Sequence, residues 1–187
     1  LDFNKEFINI FSDKIKTSDI SFINQSLKDL HPSDTANLIE NLSQETRAKL
    51  LEIEEFNLDP EIFIEINESI QSEVLQLLSE DSIAKIIKRL ESDDSLKILE
   101  NLESDKKNLV MDKLSPKDRF LLEEGLSFPE DSAARIMQRE FTAVPSNWTV
   151  GQTIDYLREN KDLPQEFLEI FIVDNDFKPI GTVPSSR

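Results

Sequence analysis

The chain has 187 residues and no cysteine. Disulfides, zinc–cysteine centres and thiol nucleophiles are therefore excluded, and with nothing pointing to an oxidising compartment the chain reads as intracellular. Glycine is nearly as scarce. Gly125, Gly151 and Gly181 are the only three, too few and too scattered for a Walker A loop or a dinucleotide fingerprint. Histidine occurs once, as His31 before Pro32, and reads as a structural residue in a turn that leads into a helix. A Ser–His–Asp system would depend on that residue, and no G-x-S-x-G elbow accompanies it. No apolar run approaches the roughly 18 residues of a membrane span. The opening LDFNKEFINIF has neither a basic n-region nor a cleavage motif. No enzyme class emerges from this inventory. The sequence also lacks an initiator Met and stops inside a recognisable unit, so the expectation is a piece of a longer protein.

Positive charge is scarce too. With 38 acids against 21 bases the formal net charge is −17. Such a chain repels a phosphate backbone, because nucleic-acid binding draws on clustered Lys and Arg to displace counterions, so no nucleic-acid partner is expected. The acidic surface keeps a domain in solution, and more specifically it offers carboxylates that could gather divalent cations or basic partners.

From Asp29 to Leu126 a short phrase recurs: a small polar residue, often followed by acids, then two to three helical turns with paired aliphatics. The phrases begin near Ser33, Ser43, Asp59, Ser69, Ser79, Ser92, Ser104 and Ser115. Each small polar residue suits an N-cap, and the acids after it suit the positive end of the helix dipole. In SPKD, Pro116 stands at the first helical position. Apolar residues recur at helical spacing, as in Leu38, Ile39 and Leu42 or Ile83, Ile86, Ile87 and Leu90. Helices this short are marginal alone, and a repeat of about a dozen residues predicts helices stacked in succession as an α-solenoid or superhelix. The start to Leu30, with Phe3, Phe7, Phe11, Ile15 and Phe22, reads as one or two capping helices with their aromatics in the core. Gly125 is expected to close the last helix in the left-handed conformation, with Leu126 folding back onto its last turn.

The stretch SFPEDSAARIMQREFTAVPSNWTV, Ser127 to Val150, joins two differently patterned regions. PEDSAARIM predicts a short helix and EFTAVP a strand ended by Pro145. TVGQTIDYLREN opens with a Thr149 to Gln152 capping box and predicts a helix, beside which Trp148 reads as a packing residue. FLEIFIVDN is apolar on both alternating faces apart from Glu169, as for a strand covered on both sides. DNDF turns, and KPIGTV is the next strand.

Phe141 to Pro145, Thr149 to Val150, the strand ending in VDN and the PIGTV strand resemble the opening half of a CBS (cystathionine β-synthase) domain. Preceded by capped helices containing DLHPSDTANLIENL and by FPEDSAARIMQREFTAVP, this pattern resembles the cytosolic region of the MgtE family of magnesium channels. The fold class expected is mainly α: a superhelical N domain over 1–126, a junction helix over 127–140, and an incomplete α/β CBS domain over 141–187. The resemblance implies a Mg²⁺-sensing region on the cytoplasmic face of the membrane, part of a homodimer with a second CBS module and a transmembrane pore. Mg²⁺ between acidic N and CBS surfaces would bias the pore towards closed.

By the same resemblance, Glu61 in DPEIF and Asp93 in SDDSL match acidic N-domain positions, and the adjacent Asp94 could share the ion. Read from position alone, Glu61 and Asp93 are equally first-turn acids that complement a helix dipole. Departures from the family pattern are also visible. Lys97, one turn after Asp93, stands where some relatives have an acid and is placed for an i,i+4 pair with Asp93. Ala134 replaces a frequent Gly. Pro184 and Arg187 replace residues common in nucleotide-binding CBS modules, which argues against adenine-nucleotide binding by this half-module. Two other readings stand beside the Mg²⁺ sensor: a helical-repeat interaction scaffold like the middle domain of the flagellar motor switch protein FliG, and a CBS-linked nucleotide sensor.

Overall fold

Asn4 opens the first helix by accepting the Phe7 N–H at 2.8 Å on its side chain, and capped starts of this kind recur along the chain. The computed structural model describes residues 3–54, 58–160, 163–164 and 167–185. Its helical run comprises α1 (Lys5–Lys16), α2 (Ile20–Leu27), α3 (Pro32–Glu40), α4 (Gln44–Glu54), α5 (Ile62–Glu65) and α6 (Glu68–Leu77). It continues through α7 (Glu80–Ile87), α8 (Ser92–Glu100), α9 (Ser104–Asp112), α10 (Pro116–Ser127) and α11 (Ala133–Ile136). Then come β1 (Thr142–Pro145), α12 (Val150–Glu159), β2 (Glu169–Val173) and β3 (Pro179–Pro184). The chain divides into two compact units, Leu1–Ile136 and Met137–Arg187.

In the first unit most helices lean on helices two or three places along, α1 on α4, α3 on α5, α4 on α6, α5 on α8, α7 on α9 and α8 on α10, while α2 rests on α1 and α11 on α10. This is the superhelix of short stacked helices that the repeat spacing predicts, followed by a small α/β unit. Its core is continuous from Phe11 and Ile15 through Leu38, Phe63, Ile83 and Leu99 to Leu122. At about 1.5–3 kcal/mol per fully buried aliphatic or phenyl side chain, this burial stabilises helices too short to persist alone. Phe3, Phe7, Phe11 and Phe22 form a run of ring contacts within it.

Polar side chains from later segments finish the C-terminal ends of earlier helices. Lys49 donates to the Lys16 carbonyl at 2.7 Å, Lys106 to those of Gln76 and Leu78 at 2.9 and 2.7 Å, and Ser95 to that of Ile87 at 3.1 Å. Carbonyls at the negative dipole ends of α1, α6 and α7 thereby gain donors, in two cases from a cation.

Several caps differ from the sequence expectation. Ser43, Ser79 and Ser115 do cap α4, α7 and α10. The cap of α3 is His31, whose Nδ1 accepts the Ser33 N–H at 3.3 Å, and that of α6 is Asn67. Ser92 and Ser104 are the first helical residues, with Glu91 and Glu103 at the caps. Gly125 does not close a helix: α10 runs through it to Ser127, and no glycine has positive φ. Its small size serves the approach to α8 instead. Among the described residues no helix is long and apolar enough to cross a membrane.

In the second unit the sheet order is β1-β2-β3. β1 runs parallel to β2, pairing Thr142 with Ile170 and Val144 with Ile172, while β3 runs antiparallel to β2, pairing Phe171 with Thr182. Thr149 and Gln152 form the capping box of α12, and Trp148 meets Tyr156 edge-on at 5.2 Å. The cover of β2 is incomplete. Ile170 and Val173 are buried, Phe171 and Ile172 only half-buried, and β3 is exposed along its length. In the turn between them Phe177 has φ 60, and the Asp174 side chain accepts the N–H groups of Asp176 and Lys178, both at 2.9 Å.

Candidate functional site

Helix α8 is built for two tasks at once. Leu96, Ile98 and Leu99 are buried in the core, while Glu91, Asp93 and Asp94 cluster at its start. Glu91 holds the N-cap position in extended conformation, φ −68 and ψ 159, and its side chain makes no cap hydrogen bond to the first turn. Carboxylate oxygens of Glu91, Asp93 and Asp94 all lie within 4.8 Å of one another. Like charges so close repel by about 1 kcal/mol per pair in water and by roughly 4 kcal/mol at an effective dielectric near 20.

Within the cluster the three acids differ. Asp94 Oδ1 accepts from Lys97 Nζ at 2.7 Å. This is an i,i+3 pair, so Lys97 is engaged by Asp94 and not by Asp93 as its i,i+4 spacing suggests. The hydrogen bond to Asp94 holds the Lys97 ammonium above its ordinary pKa; desolvation opposes it, and the charges of Asp94, Asp93 and Glu100 add smaller attractions. Asp93 Oδ1 is buried and has no hydrogen-bond partner. A buried carboxylate oxygen without a donor is costly, because desolvation is uncompensated. A hard cation would relieve that cost, since Mg²⁺ is held by one or two carboxylates while retaining several waters. The donor set and the orphaned oxygen thus fit a divalent ion.

Glu61 lies elsewhere. It precedes the four-residue α5 in right-handed helical conformation, and its side chain caps nothing. Its backbone N–H donates to Asp59 Oδ1 at 3.1 Å. Helix α5 packs against α8, yet Glu61 is outside the group formed by Glu91, Asp93 and Asp94. The structure therefore joins two of the three expected residues and adds Glu91. The signal for Glu91 was the SDDSL phrase itself: reading Ser92 as the cap left Glu91 in the preceding turn, whereas the cap position brings it alongside Asp93. Among the residues that depart from the CBS pattern, Pro184 ends β3, and Arg187 lies outside the described residues.

The family described as "MgtE intracellular N domain" matches residues 30–131, more than half of the chain. The chain belongs to the MgtE family. Two solved structures share the fold of this MgtE chain. One, described as the soluble part of a magnesium transporter, has TM-score 0.77 at 19% identity, over 96% of this chain and 71% of its own. The other, the cytosolic domain of the Mg²⁺ channel MgtE in complex with ATP, has TM-score 0.79 at 22% identity, over 95% and 73%. No curated protein matches the chain. Within the family match lie all of Glu61, Glu91, Asp93 and Asp94.

Proposed function

We propose that this MgtE chain is a Mg²⁺-sensing regulatory region on the cytoplasmic face of a membrane whose pore carries magnesium. The orphaned Asp93 Oδ1 inside the Glu91, Asp93, Asp94 cluster carries this reading. Family membership and the two solved relatives, both described as parts of magnesium transport proteins, support the transport context. A bound Mg²⁺ supplies positive charge between acidic surfaces. Without it, Glu91, Asp93 and Asp94 repel one another and any second acidic surface brought against them, which favours separation of the domains and opening. The partners in this reading are a second CBS module, the transmembrane pore of the same protein and a second protomer. Glu61, which lies outside this cluster, is a second candidate ligand that this reading takes from the family resemblance.

The test compares this chain with one extended through the second CBS module. This chain alone supplies few ligands, so Mg²⁺ binding is weak, and a site half occupied stabilises by only about 0.4 kcal/mol. Calorimetry and small-angle scattering of the longer chain show stabilisation and compaction at millimolar Mg²⁺, and Asp93→Asn diminishes both. In chelator, Asp93→Asn leaves the protein as stable as the wild type or more so, because removing one of three mutually repelling charges offsets the lost dipole interaction of about 0.5 kcal/mol. Absence of any Mg²⁺ response in the longer wild-type chain refutes the sensor.

A further inference from the structure

Asp94, Lys97 and Glu100 follow one another at three-residue spacing, which places them along one face of α8. Lys97 Nζ bonds Asp94 Oδ1 at 2.7 Å, and beyond Lys97, Glu100 Oε1 accepts from Arg135 Nε at 2.6 Å. Charges therefore alternate along the face: Asp94, Lys97, Glu100, Arg135. At its far end Arg135, a buried residue, also donates through Nη1 to the Gly125 carbonyl at 2.7 Å. It anchors α11, the last helix of the first unit, and Met137 begins the second.

We propose that Lys97 is a cation-driven switch: a divalent cation at Glu91, Asp93 and Asp94 drives the Lys97 ammonium from Asp94 to Glu100, which loosens the hold of Glu100 on Arg135 and the anchoring of α11. The switch rests on reading the cluster as a Mg²⁺ site. A doubly charged ion beside Asp94 repels the ammonium that now occupies Asp94 Oδ1 and withdraws the negative charge that attracts it. Glu100 is the next carboxylate along α8, at the same three-residue spacing from Lys97 as Asp94. The Lys97 side chain is half exposed and its pair with Asp94 is a surface ion pair, so exchanging partners costs little. Arg135 is the opposite case. Its guanidinium is buried against one carboxylate and one carbonyl, so a second cation on Glu100 weakens an interaction that water does not replace. The rigid α8 thus carries the state of the cluster at its first turn to the exit of the chain at Ile136.

The experiment is an NMR titration of the whole chain with MgCl₂ at constant ionic strength, in the wild type, Lys97→Met and Glu100→Gln. The backbone amides of Asp93 and Asp94 report binding. Solvent exchange of the Arg135 Nε–H, the proton donated to Glu100, reports the anchor. In the wild type the cluster amides titrate and Arg135 Nε–H exchange accelerates as they do. Lys97→Met retains the aliphatic stem without the amine; it binds Mg²⁺ about tenfold more tightly, and its Arg135 exchange no longer responds to the ion. Glu100→Gln shows fast Arg135 exchange at all Mg²⁺ concentrations with the cluster still titrating. Wild-type helicity in both variants is checked by circular dichroism. Equal Mg²⁺ affinity of the wild type and Lys97→Met, or wild-type Arg135 exchange that ignores a saturated cluster, overturns the switch. Cluster amides that never shift overturn the Mg²⁺ reading itself.

Discussion

A methyl group on Gly125 would lie 2.7 Å from Leu96 Cδ1 and 3.0 Å from Cδ2, so α8 and α10 come together as they do because position 125 has no side chain. Gly125 sits inside α10, where glycine itself costs about 1 kcal/mol relative to alanine. Overpacking a filled core typically costs about 1–3 kcal/mol, and Leu96 is buried with little room to yield. Gly125→Ala therefore destabilises by about 1 kcal/mol net in urea unfolding. Leu96→Ala alone costs about 3 kcal/mol. The double variant is more stable than the sum of the two predicts, because the added methyl enters the space that Leu96 leaves. Strict additivity would show that the contact does not limit the approach.

Arg47 and Glu73 lock α4 to α6. Arg47 is buried and donates from Nε to Oε1 at 3.0 Å and from Nη2 to Oε2 at 2.8 Å of Glu73, while its Nη1 reaches the Leu42 carbonyl at 2.5 Å. Removing one partner leaves a charge buried and uncompensated, whereas replacing both removes the desolvation cost as well. Since Glu73 is partly exposed, Glu73→Ala costs about 2 kcal/mol, short of a fully buried pair. Arg47→Met with Glu73→Leu costs less than Glu73→Ala alone. Chemical denaturation of the three proteins decides it, and a double variant less stable than Glu73→Ala counts against the argument.

The superhelix was legible because its period is carried by many aliphatics, and stacking short helices is the way to bury them; Ile83, Ile86 and Ile87 are core as their spacing implies. The caps were less legible. Serine is a good cap wherever it falls, but the register of each helix is set by which residue turns its aliphatics inward, and this moved the caps to His31, Asn67, Glu91 and Glu103. The role of Gly125 was hidden for a related reason. A glycine near a helix end suggests closure, and only the position of Leu96, 29 residues earlier in the sequence, shows that it marks close packing. Asp93 and Asp94 were visible as neighbours, but which of them Lys97 takes depends on side-chain direction on the helix surface, which spacing alone leaves open between i,i+3 and i,i+4.

Asp19 gives α2 a pH dependence. Its carboxylate accepts from Lys14 Nζ at 2.7 Å and from the Phe22 N–H at 3.2 Å. The Lys14 hydrogen bond, then the Phe22 N–H, hold Asp19 below its ordinary pKa. A depressed folded-state value means that the stabilisation is present above the unfolded pKa and is lost as pH falls through the folded one. The loss therefore comes in the acid range below about pH 4. Carboxyl NMR shows Asp19 titrating below an unperturbed aspartate, and Lys14→Met moves it back up while the Phe22 cap remains. An Asp19 titration unaffected by Lys14→Met would assign the depression to the cap alone.

The second unit should open far more readily than the first. Among its described residues the buried apolar side chains are Val144, Ile170 and Val173, whereas Leu168 is 85% exposed, Phe177 65% and Ile180 59%. No residue of α12 is buried, so β2 receives little cover, and among the described residues the sheet ends at β1 and β3. Phe177 adds strain, because a bulky residue at positive φ costs about 1–2 kcal/mol. Local stability follows buried apolar contact. Amides of Phe171 to Val173 in a monomeric chain should therefore exchange orders of magnitude faster than those of Ile86, Leu99 or Val110, which sit among the buried helices of the first unit. Adding Leu168→Lys and Ile180→Lys removes exposed apolar surface without touching the three buried side chains, so it lowers dye binding and concentration-dependent association and leaves the unfolding of the first unit unchanged. A monomer in which Phe171 to Val173 exchange as slowly as Leu99 would mean that the sheet is stabilised by something other than its own sparse core, and the argument from burial would fail.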